Sequence, residues 1–281
     1  MDKSKNLKLG LFSYSYHLAF GKHEIFSPSH KMDLFEYMDC CKEMGLDGIQ
    51  IDPQHLESSD DDYLNKIVQY ANKCGFYIEY GTTGVEEQHL LKQLEIAKKL
   101  TSPILRTYIG FNPHDKGVDP QKEVAHALDV LNKIKSIAEE YEIKIAIENH
   151  CDLTTDELLS LIKAIDSPYV GVCVDLGNFM IHLENPTESV KKLAPYIIDT
   201  HFKDYNSSME NWGFKTYGVP LGEGKIDLFS ILDILVNESG LDRIMLEIPV
   251  EPEGTEEETL KKEDETVRKS VLYARNVLKI Y

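Results

Sequence analysis

"YIIDTHFKDY", residues 196–205, begins with the apolar run of a buried strand and ends in His201, Lys203 and Asp204. Charged side chains are almost never fully buried without partners. A strand that changes character at one end has a core below that point and a working surface above it. Whether this is the logic of the whole fold depends on the other strands.

Short apolar segments alternate with longer helical patterns along the chain. The strand candidates are LKLGLFSYS (7–15), GIQIDP (48–53), FYIEYG (76–81), ILRTYIG (104–110), KIAIENH (144–150), VGVCVDLGN (170–178), YIIDTHFKDY (196–205) and RIMLEIP (243–249). Several are near-continuous runs of Ile, Val and Leu, as parallel strands covered on both faces require. Between them lie amphipathic stretches such as DLFEYMDCCKEMG (33–45), EEQHLLKQLEIAKKL (86–100) and KEVAHALDVLNKIKSIAEEY (122–141). Helix boundaries are also readable. Thr154 and Thr155 precede Asp156 and Glu157 as an N-cap would, Pro186 opens a helix after Asn185, and Gly45 and Gly75 fall where left-handed caps belong. Eight β-then-α units without a Pro/Gly/Ser-rich linker predict an α/β chain folded as one (β/α)8 TIM barrel over residues 1–281. A doubly wound sheet is the rival, but no Gly-x-Gly-x-x-Gly turn follows the first strand.

Composition sets further bounds. The chain has 281 residues and a formal charge of −18, so no basic footprint for nucleic acid is visible. The acidic run EPEGTEEETLKKEDE (251–265) reads as a solvated loop and helix start. No apolar run is long enough for a membrane helix, and the N-terminal stretch is too short and broken for a signal peptide. Five cysteines without a Cys-x-x-Cys spacing do not resemble a disulfide framework, so the expected setting is reducing and cytoplasmic. Cys40, Cys41 and Cys173 are expected to be buried and inert. Apolar helix faces are compatible with a homo-oligomer.

A barrel of this kind carries its active site at the C-terminal strand ends. Those ends supply Glu148 after Ile-Ala-Ile, Asp175 after Val-Cys-Val, His201, and Glu247 after Ile-Met-Leu. Any one carboxylate is more often a cap or an ion-pair partner. Four such groups converging on one mouth would repel or stay unsatisfied unless a cation joined them. Three carboxylates and an imidazole form an oxygen-rich set, which points to one divalent ion, Mn²⁺ or Mg²⁺ first, with Co²⁺ or Zn²⁺ as alternatives.

IAIENH, VGVCVDLGNF, THFKDY, LGEGKID and IMLEIP resemble the xylose-isomerase-like TIM-barrel superfamily, broadly the sugar phosphate isomerase/epimerase family. The order Glu148, Asp175, His201, Glu247 matches that family's metal site. Gln50 stands where Glu is frequent in the family. The ketose 3-epimerases show His-x-x-Glu-x-x-Arg after strand seven, whereas here the positions read His201, Asp204 and Ser207. His-x-Lys-Asp is instead shared with inosose-dehydratase-like members. The resemblance implies a small carbohydrate or sugar-acid substrate and metal-stabilised enediolate chemistry. Glu148 and Glu247 are the implied base and acid, with Asp175 and His201 as pure ligands. The leading expectation is an isomerase or epimerase of an open-chain keto sugar. Close behind stands a lyase, either a decarboxylase of a 3-oxo sugar acid or an inosose-type dehydratase, which Lys203 and the missing Arg favour. The DNA endonuclease branch needs more His ligands at earlier strand ends and a basic rim, and strand three here ends in Tyr80 and Gly81.

Further residues complete the expected pocket. Lys203 shares the side of His201 in an extended strand. It is expected either to act on substrate or to pair with Asp175 or Asp204. His150 shares the side of Glu148, as a substrate contact or a satisfied structural histidine. An inward Arg106 needs an anion, and a barrel-core Glu such as Glu79 is the first expectation, ahead of a substrate carboxylate or phosphate. The stretch NSSMENWGFKTYGVPLGEG (206–224) reads as a long loop or lid, with Trp212 packing on a sugar and Lys215 reaching its acidic end. His17, His55, His89, His114 and His126 show no ligand spacing.

Overall fold

The protein's structure, a computed structural model, describes residues 7–113 and 115–281. The first six residues of the N-terminal stretch read above and His114 lie outside the described residues. Eight parallel strands form a sheet in the order β10-β1-β2-β3-β4-β5-β6-β7. They are β1 (Lys8–Phe12), β2 (Gly48–Ile51), β3 (Tyr77–Gly81), β4 (Ile104–Thr107), β5 (Lys144–Glu148), β6 (Val170–Asp175), β7 (Ile197–His201) and β10 (Arg243–Leu246). Phe202 closes the remaining seam: its N–H donates to the Met245 carbonyl and its carbonyl accepts the Glu247 N–H. The result is the expected TIM barrel.

Helices cover the outside, among them α1 (Leu34–Glu43), α2 (Asp61–Cys74), α3 (Thr155–Ile165), α4 (Pro186–Leu193) and α5 (Glu256–Asn276). Their ends follow the chemistry read from sequence. Thr154 and Glu157 form a reciprocal capping box. The Asn185 side chain accepts the Thr187 and Glu188 N–H groups ahead of Pro186. Gly75 caps α2 at a φ of 79°. Outward-facing strand residues such as Leu9, Ile49, Leu105, Ile147, Val174 and Leu246 are buried beneath these helices. The burial of both faces explains why the strands read as continuous apolar runs rather than as alternating ones.

Inside the barrel the register sets the levels. Tyr77 fills the lower interior by lying across two glycines. A Cβ at Gly48 would come within 2.3 Å of the Tyr77 ring, and one at Gly10 within 2.5 Å of its hydroxyl. Higher up, Gln50 pairs in register with Glu79, Arg106 with Ala146, Glu148 with Cys173, and Asp175 with His201. The register of β7 against β6 shifts between Val172 and Cys173. With this bulge both Asp199 and His201 stay level with the inward Cys173 and Asp175. Bulges of this kind commonly re-aim side chains next to working sites.

Two expectations are corrected here. The segment 196–205 is not one strand: β7 stops at His201, and Asp204 begins a new element. Nor is 206–224 an irregular lid. Most of it is an antiparallel hairpin, β8 (Asp204–Glu210) and β9 (Gly213–Val219), turned by Asn211 and Trp212. Asn211 adopts a left-handed φ of 48°, which asparagine tolerates better than most residues.

The space that Gly48 leaves for Tyr77 is a packing requirement. Gly48→Ala is expected to lose about 1–3 kcal/mol of stability through overpacking against a rigid ring, seen as a lower urea midpoint at unchanged slope.

Candidate active site

Glu148, Asp175 and His201 are each the last residue of their strand, and Glu247 follows β10 directly. All four are buried, with His201 at 0% exposure. His201 Nδ1 lies 2.9 Å from Glu247 Oε2, 3.4 Å from Glu148 Oε2 and 3.9 Å from Asp175 Oδ2. One ligand atom from each of Asp175, His201 and Glu247 falls within 4.8 Å of the others, and the same holds for Glu148, Cys173 and His201. Cys173, which sequence reasoning left inert, therefore sits against the cluster from the level below. Burial keeps its thiol well above the ordinary cysteine range.

Several ligand-type atoms lack an aligned hydrogen bond. His201 Nδ1, Glu148 Oε2 and Glu247 Oε2 are buried without one, although cations stand close by. Glu148 Oε2 and Glu247 Oε2 are ion-paired at 2.7 Å, and their convergence with His201 Nδ1 brings together the donor types that a divalent ion takes. Asp175 is differently placed: its Oδ1 accepts the Gly177 and Asn178 N–H groups at 2.9 and 3.1 Å, which fixes the carboxylate and aims Oδ2 inward. The amide of Asn149 clasps the end of β6, accepting the Asp175 N–H at 2.7 Å and donating to the Asp175 carbonyl at 2.9 Å. That role belongs to the "ENH" stretch and was missed in the sequence.

Two cations balance the carboxylates. Lys203 Nζ contacts Asp175 Oδ2 at 2.6 Å and Glu247 Oε2 at 2.7 Å. Arg106 Nε stands 2.7 Å from Glu148 Oε2, and its Nη1 donates to the Thr82 carbonyl. The expected Arg106–Glu79 pair is thus not formed. Arg106 is level with Gly81 in the ladder, one inward step above Glu79, and Glu79 is 3.4 Å from Arg243 instead. Lys203 pairs with Asp175, as one reading had it, while Asp204 does other work. Its carboxylate accepts the N–H groups of Gly222, Gly224 and Ile226 and so shapes the "LGEGKI" turn.

Titration follows these contacts. Burial works to raise Glu148, but Arg106 and then His201 outweigh it and hold the carboxyl well below its usual range. Burial likewise opposes the ionised Glu247, yet Lys203 and His201 pull it down. Asp175 moves the other way, to about 6, because burial and the charges of Glu247 and Glu148 exceed the help from Lys203. The two partners of one lysine diverge because three carboxylates crowd one site, and like-charge repulsion falls on the last to ionise. Burial would lower His201, but Glu148 and Glu247 raise it to about 10. Lys203 is held well above its ordinary value by Asp175 and Glu247 against the pull of burial.

The cluster opens into a cavity of about 360 Å³. Arg106, Glu148, His150, Asp175, Lys203 and Glu247 all line it. His150 stacks on Tyr108 with ring centroids 4.1 Å apart. Trp212 and Lys215 are not brought to the cavity: Trp212 is wholly exposed at the hairpin tip, and Lys215 borders a separate depression with Tyr217 and Pro249. Sequence reasoning missed Tyr14, Asp52, Asn178, Tyr205 and Glu251, which also line the cavity. Tyr14, Asp52, Asn178 and Glu251 come from βα loops, where no periodic pattern marks a side chain as inward, and Tyr205 from the start of β8.

The xylose isomerase-like TIM barrel family matches residues 38–270. This chain belongs to that family. It is 32% identical over 218 residues to the 3-oxo-isoapionate decarboxylase of Pectobacterium atrosepticum, covering 76% of this chain and 77% of that protein. Among solved structures, D-psicose 3-epimerase in the presence of D-fructose superposes with a TM-score of 0.74 at 20% identity, covering 97% of this chain and 99% of that one. The IolI protein with a bound zinc atom superposes at 0.69 and 20% identity, covering 98% and 99%. At that identity these two neighbours establish the fold. Family and relatives together support an enzyme of the xylose isomerase-like group, whose matched members include a sugar-acid decarboxylase. Among the described residues, no helix is long and apolar enough to cross a membrane.

Asp204 organises the turn that seats the hairpin base. Asp204→Ala strips three buried or half-buried N–H groups of their acceptor and is expected to cost about 2–4 kcal/mol. Faster limited proteolysis near 220–226 would report the same loss.

Proposed function

We propose that this chain is a divalent-metal-dependent lyase that decarboxylates a 3-oxo sugar acid. The observation that carries the reading is Lys203 inside the cavity, 2.6 Å from Asp175 Oδ2 and 2.7 Å from Glu247 Oε2. An isomerase or epimerase, the leading expectation from sequence, needs a free carboxylate to take a proton from carbon. Glu148 Oε2 and Glu247 Oε2 are instead engaged by Arg106 and Lys203, each at 2.7 Å. Asp175, the carboxyl that is pushed up, has Oδ1 committed to two backbone N–H groups and Oδ2 to Lys203. Decarboxylation requires no such base. The bond between the carboxylate carbon and its neighbour breaks, carbon dioxide leaves, and the electron pair passes to the 3-oxo oxygen as an enolate. A proton then returns to carbon.

Glu148, Asp175, His201 and Glu247 would hold the ion, and the predominance of oxygen donors favours Mn²⁺ or Mg²⁺. When bound, it supplies Lewis-acid stabilisation of the developing oxyanion. Lys203 remains charged across the neutral range and lines the cavity beside two of these residues. It is the group we assign to hydrogen-bond the enolate oxygen and deliver the returning proton, which water replaces. Arg106 and Asn178 keep Glu148 oriented, the latter donating to Oε1 at 3.2 Å. His150 and Tyr14 border the space left for the polyol. The Pectobacterium relative, named as a decarboxylase of a 3-oxo sugar acid, supports this substrate class.

The direct test incubates Mn²⁺-loaded protein with 3-oxo sugar acids labelled with ¹³C in the carboxylate. Release of labelled carbon dioxide, with one solvent deuterium gained on carbon in D₂O, is the expected result. Label retained in a product whose carbonyl has moved or whose stereocentre has inverted would make the enzyme an isomerase or epimerase. Removing metal with a chelator should abolish turnover and lower the thermal midpoint, and Mn²⁺ should restore both. Lys203→Met should cut kcat by about 10²–10⁴-fold, as loss of a positioned proton donor does, while Mn²⁺ still binds by calorimetry.

A further inference from the structure

Below the cluster, His201 Nε2 lies 2.7 Å from Gln50 Oε1. The amide nitrogen of the same Gln50 donates to Asp199 Oδ2 at 2.8 Å and more weakly to Glu79 Oε2 at 3.4 Å. Asp199 is held in turn by the Thr200 N–H at 2.7 Å, and Glu79 by Arg243. Gln50 and Glu79 are fully buried and Asp199 nearly so. Phe12 stacks on the His201 ring at 4.7 Å and prevents it from turning aside.

The orientation of a glutamine amide has to be inferred from its partners. Here the imidazole decides it. A ring whose Nδ1 lone pair meets a cation keeps its hydrogen on Nε2, so the Gln50 oxygen must face the imidazole and the NH₂ edge is left to Asp199 and Glu79. An amide oxygen only accepts, so it takes the His201 Nε2 hydrogen. The proton that can leave the ring is then the one on Nδ1, the nitrogen that faces Glu148, Asp175 and Glu247. We infer that Gln50 is a positioning residue: it fixes the His201 ring with Nε2–H pointing into the barrel and the Nδ1 lone pair presented to the metal. A glutamine does this with a neutral acceptor, adding no further carboxyl beside Asp199 and Glu79, both of which burial already pushes up.

The inference rests on the metal site of the preceding reading but not on the reaction assigned to it. Partners of this kind typically change metal affinity 10–100-fold when removed. The test uses protein with ¹⁵N-labelled histidine, loaded with Zn²⁺ as a diamagnetic probe. Long-range ¹H–¹⁵N correlations report which ring nitrogen of His201 bears the proton, with the signals assigned by their loss in His201→Asn. The expected spectrum shows Nε2–H, exchanging slowly with solvent, and an unprotonated Nδ1. Gln50→Met should speed that exchange at least tenfold or erase the signal, and weaken Zn²⁺ binding 10–100-fold by calorimetry. A role in packing alone would lower the melting temperature while leaving proton exchange and affinity as they were, and that result overturns the inference. A wild-type proton on Nδ1, with Nε2 bare, also overturns it, even if Gln50→Met fails to fold. Failure of the wild type to bind Zn²⁺ at the cluster overturns both this inference and the metal site. The decarboxylation assay bears on neither.

Discussion

Three carboxylates share one buried end of a barrel, and the rest of the site is a response to that charge. Glu148, Asp175 and Glu247 lie close enough that burial and mutual repulsion would keep at least one of them protonated. Lys203 and Arg106 reduce the imbalance, and each is nearly buried itself, so neither is a cheap surface ion pair. Glu148 Oε2 and Glu247 Oε2, the oxygens those cations reach, also converge with His201 Nδ1 on a single place. A divalent cation is the simplest physical completion of such an arrangement, and the same cation suits chemistry that builds negative charge on a substrate oxygen.

The barrel makes this arrangement possible because its strands rise together from a dry interior. Glycines at 10 and 48 admit Tyr77 below, and Gln50, Glu79 and Asp199 form a polar layer above it. The bulge between β6 and β7 then brings His201 level with Asp175. Each layer constrains the next: Arg243 holds Glu79, Asp199 and Glu79 take up the Gln50 NH₂ edge, and Gln50 orients His201. The cavity at the top is small and polar, lined by groups already engaged with one another, so that a substrate meets a prearranged set of charges.

Much of this is legible in the amino-acid sequence. The eight strands were apparent because parallel strands buried on both faces leave long apolar runs, and Glu148, Asp175, His201 and Glu247 stood out as charges ending such runs. Lys203 followed from alternation around His201. Relations that depend on level within the barrel were harder to read. Arg106 was matched to Glu79, though register places it a step higher, against Glu148. The hairpin after β7 reads as an irregular loop because Asn-Trp-Gly is a weaker turn signal than Asn-Gly, and its strands are mostly polar. Tyr14, Asp52 and Glu251 sit on loops whose path no periodicity predicts. Gln50 was noticed for what it replaces, but its role appears only when Asp199 and Glu79 are seen beside it.

The central claim is that the four strand-end residues form one metal site whose charge the fold is built to balance. Anomalous diffraction from Mn²⁺-soaked crystals, collected at the manganese edge, tests it most directly. The account predicts one strong peak per chain, about 2.0–2.3 Å from oxygens of Glu148, Asp175 and Glu247 and from His201 Nδ1. A peak elsewhere, or none at the cluster with Lys203 still bridging Asp175 and Glu247, would contradict it.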